Sequence, residues 1–195
     1  MLWERRGNTV YSSVDEAILS MSGQTEEELL HPPTFQPSSI PGIVEAGRVI
    51  FQARSEGRHA YIVGDYDADG ITSTAILSRL FKFLHIEHTT IIPKRLSDGY
   101  GVSECHVAGI QDSLIVTVDN GIAAGEILDK AAGRNNLIVV IDHHLPGEGV
   151  PASADVIIDP HMFPSACGFN DYCGAGLAYK LACHMLQGVN VPARL

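Results

Sequence analysis

Three carboxylates stand at alternate positions in Gly64-Asp65-Tyr66-Asp67-Ala68-Asp69-Gly70, where a β-branched run gives way to a helical one. Over an extended or turning backbone at least two of them can converge, and that much negative charge is tolerable only with a cation between the groups. A divalent metal is the chemistry this implies. Two other readings compete. One is a solvated acidic turn in which a single Asp caps the helix. The other is a calcium loop between two helices, which fails because the required downstream glutamate is missing and the flanks are strand and helix. Magnesium or manganese fits better.

Two further strings carry the same chemistry. Val118-Asp119-Asn120-Gly121 puts an Asp at the end of an apolar run, where it can serve a metal or simply cap a helix from Ile122 onward. Asp142-His143-His144 sends a carboxylate and two imidazoles out of another such run. A lone His is more often structural, but an adjacent pair beside two other acidic strand ends favours ligation. Oxygen ligands mixed with imidazole point to manganese, with magnesium also possible. Lys94 and Arg95 offer a point charge and a planar fork suited to phosphate oxygens, the plainer alternative being a solvated turn.

These residues need elements to position them. Tyr61–Val63, Thr89–Ile92, Leu114–Val118 and Leu137–Ile141 are short apolar or β-branched runs of the kind found in parallel strands covered on both faces. Between them, Ile76, Leu77, Leu80, Phe81 and Leu84 form one helical stripe and residues 122–132 allow another, so the order is β-α-β-α-β. The fold class expected is a doubly wound, mainly parallel α/β sheet flanked by helices. An amphipathic helix precedes it (Ile43, Ala46, Ile50, Ala53, with Gly57 as a stop), 154–158 adds a strand, and 174–186 closes the chain as a helix. In such sheets ligands bind outside the carboxyl ends of the strands, where Asp65, Asp119 and Asp142 all lie. The first 39 residues are poorly periodic and rich in breakers, with Ser13-Val-Asp-Glu16 as a capping box for a short helix; they read as an N-terminal arm before a domain over 40–195.

Composition narrows the partners. The 195 residues are 45% hydrophobic and 18% charged, which excludes disorder. A net charge of −10 argues against holding polyanions by bulk attraction, so any nucleic-acid contact must be local or metal-assisted. The four cysteines form no C-x-x-C pair and no apolar run approaches the ~18–20 residues of a membrane helix, so a cytoplasmic protein without a membrane partner is expected.

Taken together, Asp67-Ala68-Asp69, Asp119 and Asp142-His143-His144 resemble, in order, the first three motifs of the DHH phosphoesterase superfamily. Gly64–Ser73, Pro93–Ser103, Val118–Gly121, Asp142–Pro146 and Cys173–Gly176 resemble more narrowly the catalytic half of RecJ-type single-strand-specific exonucleases, over about Leu29 to Leu186. The resemblance implies a two-metal Mn2+ or Mg2+ site in which Asp67 and Asp69 bind separate metals and Asp119 bridges them. His143 is then a ligand, His144 a ligand or phosphate contact, Asp65 and Asp142 complete the acidic set, and Lys94, Arg95, Asn120 and His144 face substrate. Some members carry a histidine four residues before the first paired Asp; here it is Val63.

The superfamily's fourth-motif Asp and its second, substrate-gripping domain have no counterpart, since Asp155, Asp159 and Asp171 come too early. The chain is therefore expected to be the N-terminal piece of a longer protein, or else a truncated relative that stands alone, well folded but catalytically poor by itself. The leading function is hydrolysis of single-stranded DNA from an end. The alternatives are a phosphodiesterase for short oligonucleotides or cyclic dinucleotides, which the acidic charge favours, and a non-catalytic binding module, which predicts eroded ligands.

Overall fold

The computed structural model describes residues 9–31, 34–94, 96, 99 and 101–189, and the chain divides into two units at Phe35/Gln36. The first unit holds two short helices, α1 (Val14–Ser22) and α2 (Glu26–Leu30), neither with a buried residue. Ser13 caps α1 by accepting from the Glu16 N–H, but the Glu16 carboxylate reaches back to Ser12 rather than to the cap residue. Periodicity does not reveal the second helix. A complete capping box, Thr25 with Glu28, starts it.

The second unit is a five-stranded, all-parallel sheet in the order β2-β1-β3-β4-β5, with β1 Ala60–Val63, β2 His88–Ile91, β3 Leu114–Val118, β4 Leu137–Ile141 and β5 Val156–Ile158. Helices α3 (Ile43–Ser55), α4 (Ala68–Phe83) and α7 (Gly174–Met185) cover one face, and α5 (Glu104–Val107) and α6 (Gly125–Ala132) the other. Period-two alternation along the strands sorts the core accordingly. Ile62, Val116, Val118, Val139 and Ile141 pack with Ile50, Phe81, Leu177 and Leu181, whereas Val63, Ile115, Ile138 and Val140 pack with Val107 and Leu128. The doubly wound fold expected from the sequence is thus present.

Two elements differ from expectation. The strand at 88–91 is half-exposed rather than covered on both faces, because it is an edge strand beside β1 alone. Helix α6 begins at Gly125, three residues later than expected and without a side-chain cap, because the Gly125 N–H, which a helix from Ile122 would turn to Gly121 O, is taken by Gly149 O at 2.7 Å. Asp119 is therefore no N-cap.

The chain leaves β1 toward β2 on one side and reaches β3 on the other, so the sheet has a switch point between β1 and β3, where connections diverge and a crevice opens. Among the described residues no helix is long and apolar enough to cross a membrane.

Candidate metal centre

Three strands deliver buried carboxylates to the switch-point edge: Asp65 after β1, Asp119 after β3 and Asp142 after β4, each about 1% exposed. Asp67 and Asp69 follow in the turn into α4. Asp67 is the exposed N-cap of that helix, one oxygen accepting from the Gly70 N–H at 2.9 Å and the other left available. Asp69, in the first turn of that helix, is held from far away in sequence: its Oδ2 accepts from Gly174 N and its Oδ1 from Ala175 N, both at 2.7 Å, at the start of α7.

Asp119 lies at the centre. Its backbone is left-handed (φ 61°), which costs energy for any residue with a Cβ and aims the side chain away from the path of the strand. Gly121 then turns the chain at φ 108°, where a Cβ would run into the Thr117 hydroxyl. His143 Nε2 lies 3.0 Å from Asp119 Oδ1 and 3.4 Å from Asp69 Oδ2. His144 packs beside it with ring centres 4.6 Å apart.

The donor atoms form two groups that share one residue. Asp65, Asp67 and Asp119 have ligand atoms within 4.8 Å of one another, and so do Asp119, His143 and His144. Asp69 and Asp142, both expected among the ligands, stand outside these two groups, and their oxygens accept hydrogen bonds. Asp142 Oδ2 accepts from Ile122 N, while its Oδ1 accepts from the backbone of His143 and His144 and pairs with His144 Nδ1 at 2.7 Å. It orients the His144 imidazole.

Electrostatics mark the same centre. Burial, reinforced by the charges of Asp69 and Asp67, pushes the Asp119 carboxyl up to about 8. Asp69 is half-buried, but the N–H groups of Ala175 and Gly174 outweigh that burial and hold it below the ordinary value. Without a cation, then, Asp119 rather than Asp69 retains the proton. Burial also raises Asp65 and lowers His143, whereas the hydrogen bond to Asp142 lifts His144 to about 9. Crowded carboxylates of which one must stay protonated, joined by imidazole, form a donor set suited to a divalent transition metal.

Other expected residues are less central. Asn120 is 2% exposed, and its amide nitrogen and oxygen have no hydrogen-bond partner. It lines a cavity of about 150 Å3 together with Ile122, Ala124, Asp142 and His144. Lys94 is exposed beyond the edge strand β2, and Arg95 lies outside the described residues. Val63 is buried in the core behind the site.

The sequence reading missed the part played by the start of α7. A Cβ on Gly174 would lie 2.8 Å from both Cβ and Oδ1 of Asp119. The clue was the pair of glycines opening a helix, which permits close backbone approach. Gly174→Ala is expected to displace the Asp119 carboxylate and weaken manganese binding about tenfold, with the secondary structure kept. Isothermal titration beside a circular dichroism spectrum checks this, and unchanged affinity would show that the carboxylate tolerates the shift.

A switch-point sheet edge with carboxylates from three strands and an Asp-His-His turn defines a class, and the chain belongs to it: residues 59–193 match the DHH family, N-terminal domain. Within that class it is similar to RecJ. It is 41% identical over 146 residues to the single-stranded-DNA-specific exonuclease RecJ of Dickeya dadantii (strain 3937), covering 73% of this chain and 25% of that protein. Its fold matches the crystal structure of exonuclease RecJ bound to manganese with a TM-score of 0.70 at 32% identity, over 78% of this chain and 39% of that one. RecJ in complex with Mn2+ from Thermus thermophilus gives a TM-score of 0.68 at 28% identity, over 90% and 25% of the two chains. The chain spans about a quarter of the length of the curated relatives it matches.

Proposed function

We propose that this chain carries the metal centre of a phosphodiesterase that hydrolyses single-stranded DNA from an end. The observation that carries the reading is the buried Asp119 shared by two ligand groups, Asp65/Asp67 on one side and His143/His144 on the other. Manganese and magnesium fit these oxygen and nitrogen donors, and the functional domain is taken as residues 40–195. A pair of such ions, when bound, activates water and neutralises charge on a phosphate without a covalent intermediate.

The chain's own residues do the rest. Asp119 holds the centre together from its strained position after β3. Asp142 fixes His144 through Nδ1, and His144 meets a phosphate oxygen or takes a ligand position. Asp69, clamped by Gly174 and Ala175, supplies fixed negative charge beside His143 and keeps that ring directed at Asp119. The buried Asn120 amide, unpartnered beside the cavity, is poised for the sugar or base next to the scissile bond, and Lys94 and Arg95 serve outer phosphates. All four cysteines are free, in keeping with a reducing cytoplasm.

The test uses the manganese-loaded chain on single-stranded DNA, blunt duplex and a cyclic dinucleotide. At high enzyme concentration, as a chain poor in catalysis on its own requires, single strands should be shortened slowly, duplex left nearly intact and all activity lost on chelation. Equal digestion of duplex removes the exonuclease reading, and preference for the cyclic dinucleotide replaces it with a small-substrate phosphodiesterase.

A further inference from the structure

The turn after β5 repeats the turn after β4. Strands β4 and β5 are parallel with Ile141 opposite Ile158, and the ladder continues through Asp142 N–H to Ile158 O at 2.9 Å. Asp142 and Asp159 are therefore next neighbours across two strands that run about 4.8 Å apart. Each Asp is followed two residues later by a histidine: Asp142-His143-His144 and Asp159-Pro160-His161.

The backbone bond repeats as well, while the side-chain pair of the second turn is wider and leaves His161 Nδ1 without a hydrogen-bond partner. Asp142 Oδ1 accepts from the His144 N–H and pairs with its Nδ1. Asp159 Oδ1 accepts from the His161 N–H at 2.9 Å and lies 3.5 Å from its Nδ1. Asp159 is 1% exposed and its second oxygen has no hydrogen-bond partner, whereas the His161 side chain keeps 24% of its surface open. The two dyads lie close enough for charge on Asp142 to act on Asp159 and charge on His161 to act on His143.

We propose that Asp159 and His161 form a second phosphate contact, in which His161 Nε2 meets the phosphate next to the scissile one and Asp159 is the positioning residue. The inference rests on the phosphodiesterase reading and deepens it to a substrate with more than one phosphodiester. β5 is the outer strand of the row β1-β3-β4-β5, so a polymer leaving the metal centre along that edge passes His161. In a chain of net charge −10, such a contact must be built locally, and an imidazole backed by a buried carboxylate is a local device for it. The 3.5 Å separation leaves room for the dyad to tighten when an anion arrives.

The experiment compares a thymidine dinucleotide, with one phosphodiester, and a thymidine tetranucleotide, with three, on the manganese-loaded chain, by turnover and by equilibrium affinity. His161→Ala should weaken tetranucleotide affinity and raise its KM about tenfold, the loss of one hydrogen bond to a charged group. Its dinucleotide kinetics, manganese affinity and melting temperature should stay at wild-type values. His161→Gln, which keeps an N–H near the Nε2 position, should recover most of the loss. Equal losses on both substrates, or none on either, overturn the second contact. If the manganese-loaded wild-type chain hydrolyses neither substrate even at high enzyme concentration and long incubation, the phosphodiesterase reading fails, and the affinity ratio of tetranucleotide to dinucleotide still decides the role of His161.

Discussion

Asp119→Asn should abolish manganese binding at both ligand groups at once, with an affinity loss of roughly 100-fold or more, because the one side chain serves both. The substitution preserves volume, so the fold is expected to survive. The metal-free variant should melt no lower than wild type, since it replaces a buried carboxyl whose charged form is penalised by burial and by Asp69 and Asp67. The two proteins separate only when metal is added. Manganese raises the melting temperature of wild type by mass action and leaves that of the variant unmoved. Scanning calorimetry with and without the ion reads this directly, and a wild-type shift in Asp119→Asn would remove Asp119 from the centre.

Raising the pH from about 6.5 to about 9 should destabilise the metal-free chain. Asp119 titrates near 8 when folded against an ordinary 3.8, and His144 near 9 against 6.5. Both folded values lie above the unfolded ones, so the folded state binds more protons throughout this window and stability falls as those protons leave. Asp69 and His143 shift downward, and their contributions are already complete above the ordinary histidine value. With solvent screening of the half-exposed His144 allowed for, the loss should be about 2 kcal/mol. That corresponds to roughly 4–8 °C in melting temperature for a chain of this size. Manganese should reverse the slope, because its ligands bind in their deprotonated forms and affinity rises with pH. A metal-free melting temperature that holds or climbs across this range would contradict the shared proton at Asp119.

Much of this site was legible in the sequence because its parts sit at strand ends, where a short apolar run stops abruptly at an acid. Asp65, Asp119 and Asp142 could be read that way, and the order of the runs led to the sheet. The features that escaped depend on contacts between distant segments. Asp69 looks like any acid in a first helical turn until Gly174 and Ala175 arrive from 105 and 106 residues away. The bonds that Asp142 accepts from Ile122, His143 and His144 are likewise invisible in the sequence. The late start of α6 has the same origin, because a bond from the Gly125 N–H to the distant Gly149 carbonyl replaces the first helical bond to Gly121. Asp159 is visible in the sequence but reads there only as a misplaced fourth motif. The β4/β5 register is what matches it to Asp142, and register is a property of paired strands that a single run of residues does not carry.

The clamp between Asp69 and the start of α7 also orders events in time. During synthesis the N-terminal part of the chain emerges first, so every acid and histidine of the centre has left the ribosome before residue 174. Until then Asp69 lacks its two backbone donors and Asp119 lacks the glycine wall against its carboxylate. Closing so long a loop is also among the slower steps of folding. A nascent chain thus cannot hold Asp69 and Asp119 in this arrangement before the start of α7 arrives, and tight loading with metal becomes a report that this clamp has closed.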